Sequence, residues 1–195
     1  MARRTVSPRP SGRQVVFVGP FGVGKTTAVH TVSDTPVVRA TAGTPSSSEE
    51  GTRVARRLAE AAGSDCGQWR RGPGGPVDVL AVAGQTRFGA TLRPTVAPGS
   101  PVVLWLYGQT PYALDEAEEW LEYIAPETEE SPLAVAVTRL EIPGDRPALV
   151  DYRSVVDRWA RGAPLVSADP RDRESVEDVL RAALSAQVAP RPVRR

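Results

Sequence analysis

One stretch decides how this chain folds: Val15-Val16-Phe17-Val18-Gly19-Pro20-Phe21-Gly22-Val23-Gly24-Lys25-Thr26-Thr27. Its first four residues are apolar and mostly β-branched, which is typical of a strand buried on both faces of a sheet. Residues 19–26 match the phosphate-binding pattern G-x-x-x-x-G-K-[ST] at every position. Ala28-Val29-His30 then begins a helix, so the motif has the strand before it and the helix after it that it requires. The alternative is an ordinary glycine-rich turn with a surface lysine.

The residue types of this loop suit phosphate binding. The glycines let the backbone turn its N–H groups inward, and the following helix presents its positive end to the same anion. Lys25 is predicted to reach the β- and γ-phosphates, and the Thr26 hydroxyl is predicted to bind Mg²⁺. The predicted nucleotide-binding residues of the loop are Gly19, Phe21, Gly22, Val23, Gly24, Lys25, Thr26 and Thr27.

The use of lysine supports this interpretation. Lys25 is the only lysine among the 195 residues, whereas all the other Lys/Arg positions are arginines. A chain that uses arginine elsewhere therefore has its one lysine where a phosphate-binding loop needs it.

The composition is that of a soluble globular protein of single-domain size, with 41% hydrophobic and 24% charged residues. A net charge of +1 gives no argument for a nucleic-acid partner. Cys66 is alone, which excludes an intrachain disulfide and fits a reducing cytoplasm. The first residues lack the apolar core of a secretory signal, and no apolar run approaches the ~20 residues of a membrane span. We expect a cytoplasmic protein without membrane insertion.

The order of patterns along the chain predicts a single α/β domain. Residues 1–12 are predicted to be a disordered basic arm, residues 13–187 the folded domain, and residues 188–195 a disordered tail. Strands are predicted at 15–18, 66–71, 77–82, 102–106, 133–137 and 164–167, and helices at about 25–32, 50–62, 114–124, 149–161 and from 172 onward. Residues 34–48 are predicted to be a loop, and 66–82 a hairpin. This alternation predicts a mostly parallel six-stranded sheet with helices on both faces and ligands at the carboxyl ends of the strands.

Four landmarks, in this order, resemble a known family: residues 19–27, 82–88, 135–141 and 167–175. They resemble the small Ras-like GTPases of bacterial conservon operons, which are relatives of the gliding-motility GTPases. The resemblance covers about residues 13–187. It implies a Ras-like P-loop NTPase fold, binding of GTP or GDP with Mg²⁺, and a signalling switch that works with a roadblock-type regulator and a sensor-kinase assembly. Such a protein is cytoplasmic and could be held at the membrane periphery through its partners.

The resemblance also assigns roles outside the phosphate loop. Gln85 would orient the attacking water; the alternative is an ordinary loop glutamine. Thr138, Arg139 and Glu141 occupy the guanine-reading motif; the alternative is a plain strand end with charged surface residues. Ser167, Ala168 and Asp169 would offer backbone N–H groups to the guanine oxygen, although any loop after a strand could look similar.

Departures from the family pattern predict a weakened switch. Thr138 and Glu141 stand where the family has Asn and Asp, and a threonine cannot reproduce the contacts of a carboxamide. Ala81-Val82-Ala83 replaces Gly-Thr-Pro, and Leu58-Ala59-Glu60-Ala61-Ala62 replaces the first-switch threonines. We therefore expect slow or partner-dependent GTP hydrolysis. Two alternatives stay open: a non-catalytic pseudo-GTPase that serves as an interaction module, and an ATP-using P-loop protein.

Overall fold

The computed structural model of the chain describes residues 13–39, 65–82, 99–108, 110–140 and 148–188. Several predictions lie outside these residues: the arm over 1–12, the helix over 50–62, nearly all of the tail, and the site residues Gln85 and Glu141. Of the two candidate switch segments, residues 37–63 lie mostly outside them and residues 84–93 lie entirely outside them.

Seven strands form one sheet at the centre of the described part of the chain, in the order β2-β3-β4-β1-β5-β6-β7. The strands are β1 (Arg13–Val18), β2 (Val38–Arg39), β3 (Asp65–Trp69), β4 (Val77–Ala81), β5 (Val102–Tyr107), β6 (Leu133–Thr138) and β7 (Leu165–Ser167). The helices of the same residues are α1 (Lys25–Val32), α2 (Ala113–Ile124), α3 (Leu149–Trp159) and α4 (Arg173–Ser185), with a short 3-10 turn at Pro126–Thr128.

The sheet is mixed but mostly parallel. Strands β4, β1, β5, β6 and β7 run parallel to one another, whereas β3 is antiparallel to both of its neighbours, β2 and β4. The predicted hairpin is confirmed as β3 and β4, with Trp69 opposite Val77. All six predicted strands are present, and a seventh joins them, because Val38 and Arg39 form a two-residue strand against Cys66 and Asp65 inside a stretch expected to be a loop. Pairing with a distant strand overrides the local turn signals of that stretch.

Alternating residues of the strands build two apolar layers, one on each face of the sheet. Val15 and Phe17 point to the face covered by α1 and α4, where Phe17 meets Trp105 edge to face at 5.3 Å between ring centroids. Val16 and Val18 point to the other face, which α2 and α3 cover. The prediction of helices on both faces is confirmed.

Local sequence sets the ends of α3 and α4. Asp172 caps α4 as predicted, because its carboxylate accepts a hydrogen bond from the Ser175 N–H at 2.9 Å. Helix α3 ends at Trp159, two residues before the predicted end, and Gly162 follows with a positive φ of 76°.

The topology gathers the predicted site residues that the structure describes at one edge of the sheet. Because β1, β5, β6 and β7 are parallel, their carboxyl ends face the same side, which we call the C-terminal edge. The phosphate loop (residues 19–26) follows β1 at this edge. Thr138 is the last residue of β6 and Arg139 follows it. Ser167 is the last residue of β7, and residues 168–169 follow it. Among the described helices, none combines the length and apolar character needed to cross a membrane.

Candidate phosphate-binding site

The phosphate loop has a backbone conformation that only glycine adopts without strain. Gly19, Gly22 and Gly24 have φ angles of 133°, 77° and 108°. A Cβ at Gly19 would lie 2.1 Å from the Trp105 carbonyl oxygen, and one at Gly24 would lie 2.5 Å from the Pro170 ring. The glycines of the motif are therefore required both for their dihedral angles and for close packing against β5 and the loop after β7.

The N–H groups of this loop have no partner inside the described part of the protein. Among the described residues, none of the backbone N–H groups of 21–27 donates a hydrogen bond. The first N–H to do so is that of Ala28, to the Gly24 carbonyl at 2.8 Å, and no side chain caps α1. Consecutive unpaired N–H groups at the start of a helix form a concave nest for an anion. The loop thus presents a row of backbone donors of the kind that suits an anion.

Lys25 lies inside the loop. Its Nζ donates to the carbonyl oxygens of Gly19 and Pro20, both at 2.7 Å, and the residue is only 6% exposed. Burial lowers the pKa of Lys25 from 10.5 to about 8, since the charged form loses hydration. The alternative of a surface lysine is excluded by this burial. The ammonium group instead lies against two carbonyls at the start of the loop whose N–H groups lack partners among the described residues.

Thr26 and Thr27 are exposed in the first turn of α1. Among the described residues, no three or more His, Cys, Asp or Glu side chains are grouped so as to hold a metal ion. This does not conflict with the predicted Mg²⁺, because that ion keeps several waters and takes few protein ligands beside phosphate oxygens. Thr26 as its protein ligand stays a prediction.

Tyr107, the last residue of β5, connects the phosphate loop with the predicted guanine motif. The Tyr107 hydroxyl donates to the Phe21 carbonyl of the loop at 2.9 Å. The guanidinium carbon of Arg139 lies 5.4 Å from the centre of the Tyr107 ring. Arg139 has a φ of 59°, an uncommon conformation for a residue with a side chain. The phosphate loop and the predicted guanine motif are therefore neighbours.

Several groups predicted to contact a base already have partners within the protein. Thr138 is fully buried, and its hydroxyl donates a hydrogen bond to the Leu106 carbonyl at 3.3 Å. The N–H of Ala168 donates to the Val137 carbonyl at 2.9 Å, and the N–H of Asp169 donates to the Ser175 hydroxyl at 3.0 Å. A base could use these groups only by sharing or replacing those bonds.

The carboxylate of Asp169 is also engaged. It accepts hydrogen bonds from the backbone N–H and the guanidinium of Arg171, at 2.9 and 3.2 Å. The backbone bond, more than the charge of the arginines nearby, holds the pKa of Asp169 below its ordinary value. Ser167 is exposed at the end of β7. Base contacts by Ser167, Ala168 and Asp169 stay predictions.

Sequence reasoning missed Tyr107. It closes an apolar run that identifies a buried strand, and nothing in the local pattern marks a tyrosine in that position as part of a site. Its hydroxyl meets a carbonyl 86 residues away, a contact that only the folded sheet brings about.

No protein-family model matches the chain, and no curated protein matches its sequence.

Proposed function

We propose that this chain binds a guanine nucleotide through a Ras-like P-loop domain and serves as a small-GTPase-type signalling switch. The observation that carries the proposal is the run of N–H groups over residues 21–27 that have no partner among the described residues, in the same loop as the buried Lys25 ammonium group. A backbone nest, a helix N-terminus and a buried cation together suit a polyphosphate. The predicted sequence motif supports the same chemistry.

The chain's own groups supply binding and charge neutralisation. The N–H groups of the loop donate to the phosphate oxygens, and Lys25 exchanges its two carbonyl partners for stronger charge-assisted bonds to phosphate. Thr26 would hold Mg²⁺, which neutralises the charge that develops on the transferred phosphoryl group. Gln85 would orient the water for in-line attack. The loop is thus proposed to position the substrate, and hydrolysis depends on the water-orienting residue.

Guanine is the proposed base, read by the Glu141 carboxylate and by backbone N–H groups of residues 167–169. An ATP-using protein is the second candidate, and the internal hydrogen bonds of the base side are the observation in its favour. Because Ala168 and Asp169 donate their N–H groups within the protein, a base gains less there than from free donors. We therefore expect only a modest preference for guanine over adenine.

The switch is proposed to be muted. A switch needs a segment that the γ-phosphate orders and hydrolysis releases, and the first candidate segment, 37–63, lacks the family's threonines. We propose slow hydrolysis that a partner completes, with a roadblock-type regulator and a sensor-kinase assembly as partners in the cytoplasm. The competing class is a non-catalytic pseudo-GTPase, which would bind nucleotide without turnover.

Two measurements test this proposal. Chromatography of the nucleotide released by denaturing the purified protein should yield guanine nucleotide, and single-turnover assays should show slow GTP hydrolysis. Adenine nucleotide alone would favour the ATP-using candidate, and binding without any hydrolysis would favour the pseudo-GTPase. Hydrogen exchange in the GDP state and in a GTP-analogue state measures the switch. Strong protection of 37–63 by the analogue alone, together with fast unassisted turnover, would contradict a muted switch.

A further inference from the structure

Tyr107 is tied to the phosphate loop by two close approaches. Its hydroxyl donates to the Phe21 carbonyl oxygen at 2.9 Å. The same hydroxyl would lie 2.8 Å from a Cβ at Gly22, so it packs directly on the next residue of the loop. The tyrosine thus contacts the loop at the peptide unit that joins Phe21 to Gly22.

The bond fixes the direction of one phosphate donor. In a trans peptide the carbonyl bond of one residue and the N–H bond of the next lie in one plane and point in opposite directions. Holding the Phe21 carbonyl therefore also holds the Gly22 N–H, which points away from the phenol. This N–H belongs to the run without an internal partner among the described residues. Without the phenol, a glycine at Gly22 leaves that peptide free to rotate.

Tyr107 is itself held from the opposite side. The Tyr152 hydroxyl, on the buried face of α3, donates to the Tyr107 carbonyl at 2.7 Å. The neighbouring Gly108 N–H donates to the Thr138 carbonyl at 2.8 Å, which fastens the end of β5 to β6. The Arg139 guanidinium lies over the ring. The phenol is therefore a rigid arm that extends from the sheet to the loop.

We propose that Tyr107 is a positioning residue of the phosphate site, which holds the Phe21–Gly22 peptide so that the Gly22 N–H meets the β-phosphate. This inference rests on the proposed function, because it requires that the phosphates of a nucleotide bind the loop. It adds a residue from β5 to a site whose sequence motif lies wholly within residues 19–26. Tyr107 acts through the loop and does not itself contact the nucleotide in this proposal.

The variant Tyr107→Phe removes the hydroxyl and keeps the ring over which Arg139 lies. We expect the Kd for GDP to rise about tenfold, because one preset hydrogen bond is lost from the phosphate site. The Kd for GMP should change less than about twofold, since GMP has no β-phosphate for the loop to hold. If Tyr107 contributed only to general stability, the variant would weaken the binding of both nucleotides alike. The ratio of the Kd for GDP to the Kd for GMP is therefore the decisive readout.

Thr128→Val is the matched control. It removes the same kind of bond, from a side-chain hydroxyl to a backbone carbonyl, between Thr128 and Ile124 before the start of β6, at the sheet edge opposite the loop. We expect it to lower the melting temperature and to leave the GDP-to-GMP ratio at its wild-type value. Hydrogen exchange of the wild-type chain adds a measurement that needs no variant: GDP should protect the Gly22 N–H and GMP should not.

The outcomes separate this inference from the function on which it rests. A wild-type chain that binds GDP, with an unchanged ratio in Tyr107→Phe, would overturn the role of Tyr107 alone. Equal protection of the Gly22 N–H by GDP and GMP would do the same. Absence of GDP binding by the wild-type chain would overturn the proposed function and this inference with it.

Discussion

The two halves of the C-terminal edge are built on different principles. On the phosphate side, the donors are backbone N–H groups without partners among the described residues, held by glycines whose dihedral angles no other residue adopts easily. On the base side, the N–H groups of Ala168 and Asp169 and the Thr138 hydroxyl already donate within the protein. The contrast teaches that the proposed phosphate side offers donors without described partners, whereas the donors of the proposed base side are already used. Affinity should therefore come from the phosphates.

Among the changes on the phosphate side, Gly19→Ala should have the largest effect on stability. The added Cβ would lie 2.1 Å from the Trp105 carbonyl, which belongs to a central strand and cannot move aside. We expect the free energy of unfolding to fall by about 4 kcal/mol or more, the range of severe core defects. Urea unfolding measures it.

The control for this change is Gly75→Ala in the β3–β4 turn. Gly75 also has a positive φ, of 117°, but nothing lies within 4 Å of a Cβ there. Conformational strain alone should then cost about 1–2 kcal/mol. Equal losses in the two variants would show that the close approach to β5 contributes nothing.

Lys25→Ala should abolish most nucleotide binding while the fold persists. Among the described residues, the ammonium group donates its hydrogen bonds to carbonyls of the loop itself, so we expect the melting temperature to change little. We expect the Kd for GDP to rise about a hundredfold or more, because a desolvated charge beside the phosphates is lost. Arg158→Ala removes an exposed positive charge on α3 and should leave the Kd unchanged. An unaltered Kd in Lys25→Ala would remove the phosphate loop from the account.

The phosphate side could be predicted from sequence because its signals are local. An apolar run, three glycines and a lysine within thirteen residues specify strand, loop and helix together, and β1 and α1 appear where they were expected. The base side could not be predicted as well, because its contacts join distant segments. Neither the role of Tyr107 nor the left-handed backbone of Arg139 has a local sequence signal.

The pH dependence of GDP binding tests the role of Lys25 on the phosphate side. Burial gives Lys25 a pKa of about 8, and a bound phosphate should raise that pKa again because the anion favours the ammonium form. The affinity for GDP is then highest well below pH 8, where Lys25 is charged. It falls as the pH rises through about 8, by about tenfold between pH 7 and pH 9. Calorimetry in two buffers with different ionisation enthalpies should detect proton uptake on binding near pH 8.5. A flat affinity profile without proton uptake would contradict the buried, phosphate-binding ammonium group.

The smallest expected effect is on the base side. GDP should bind more tightly than ADP, but by only about fivefold, because few base-reading groups are free and Glu141 is the one acidic group at the guanine position. Competition titrations with both nucleotides measure the ratio. Equal affinities or a preference for ADP would favour the ATP-using candidate, whereas a ratio above about a hundred would show that the base side is better organised than its internal bonds suggest.

The most direct test of the central claim is a calorimetric titration of the full chain with GDP in the presence of Mg²⁺ at neutral pH. The account predicts one site per chain with a Kd in the micromolar range or tighter, and a rise in melting temperature on addition of GDP. Absence of binding heat together with an unchanged melting temperature, in a chain shown to be folded, would contradict it.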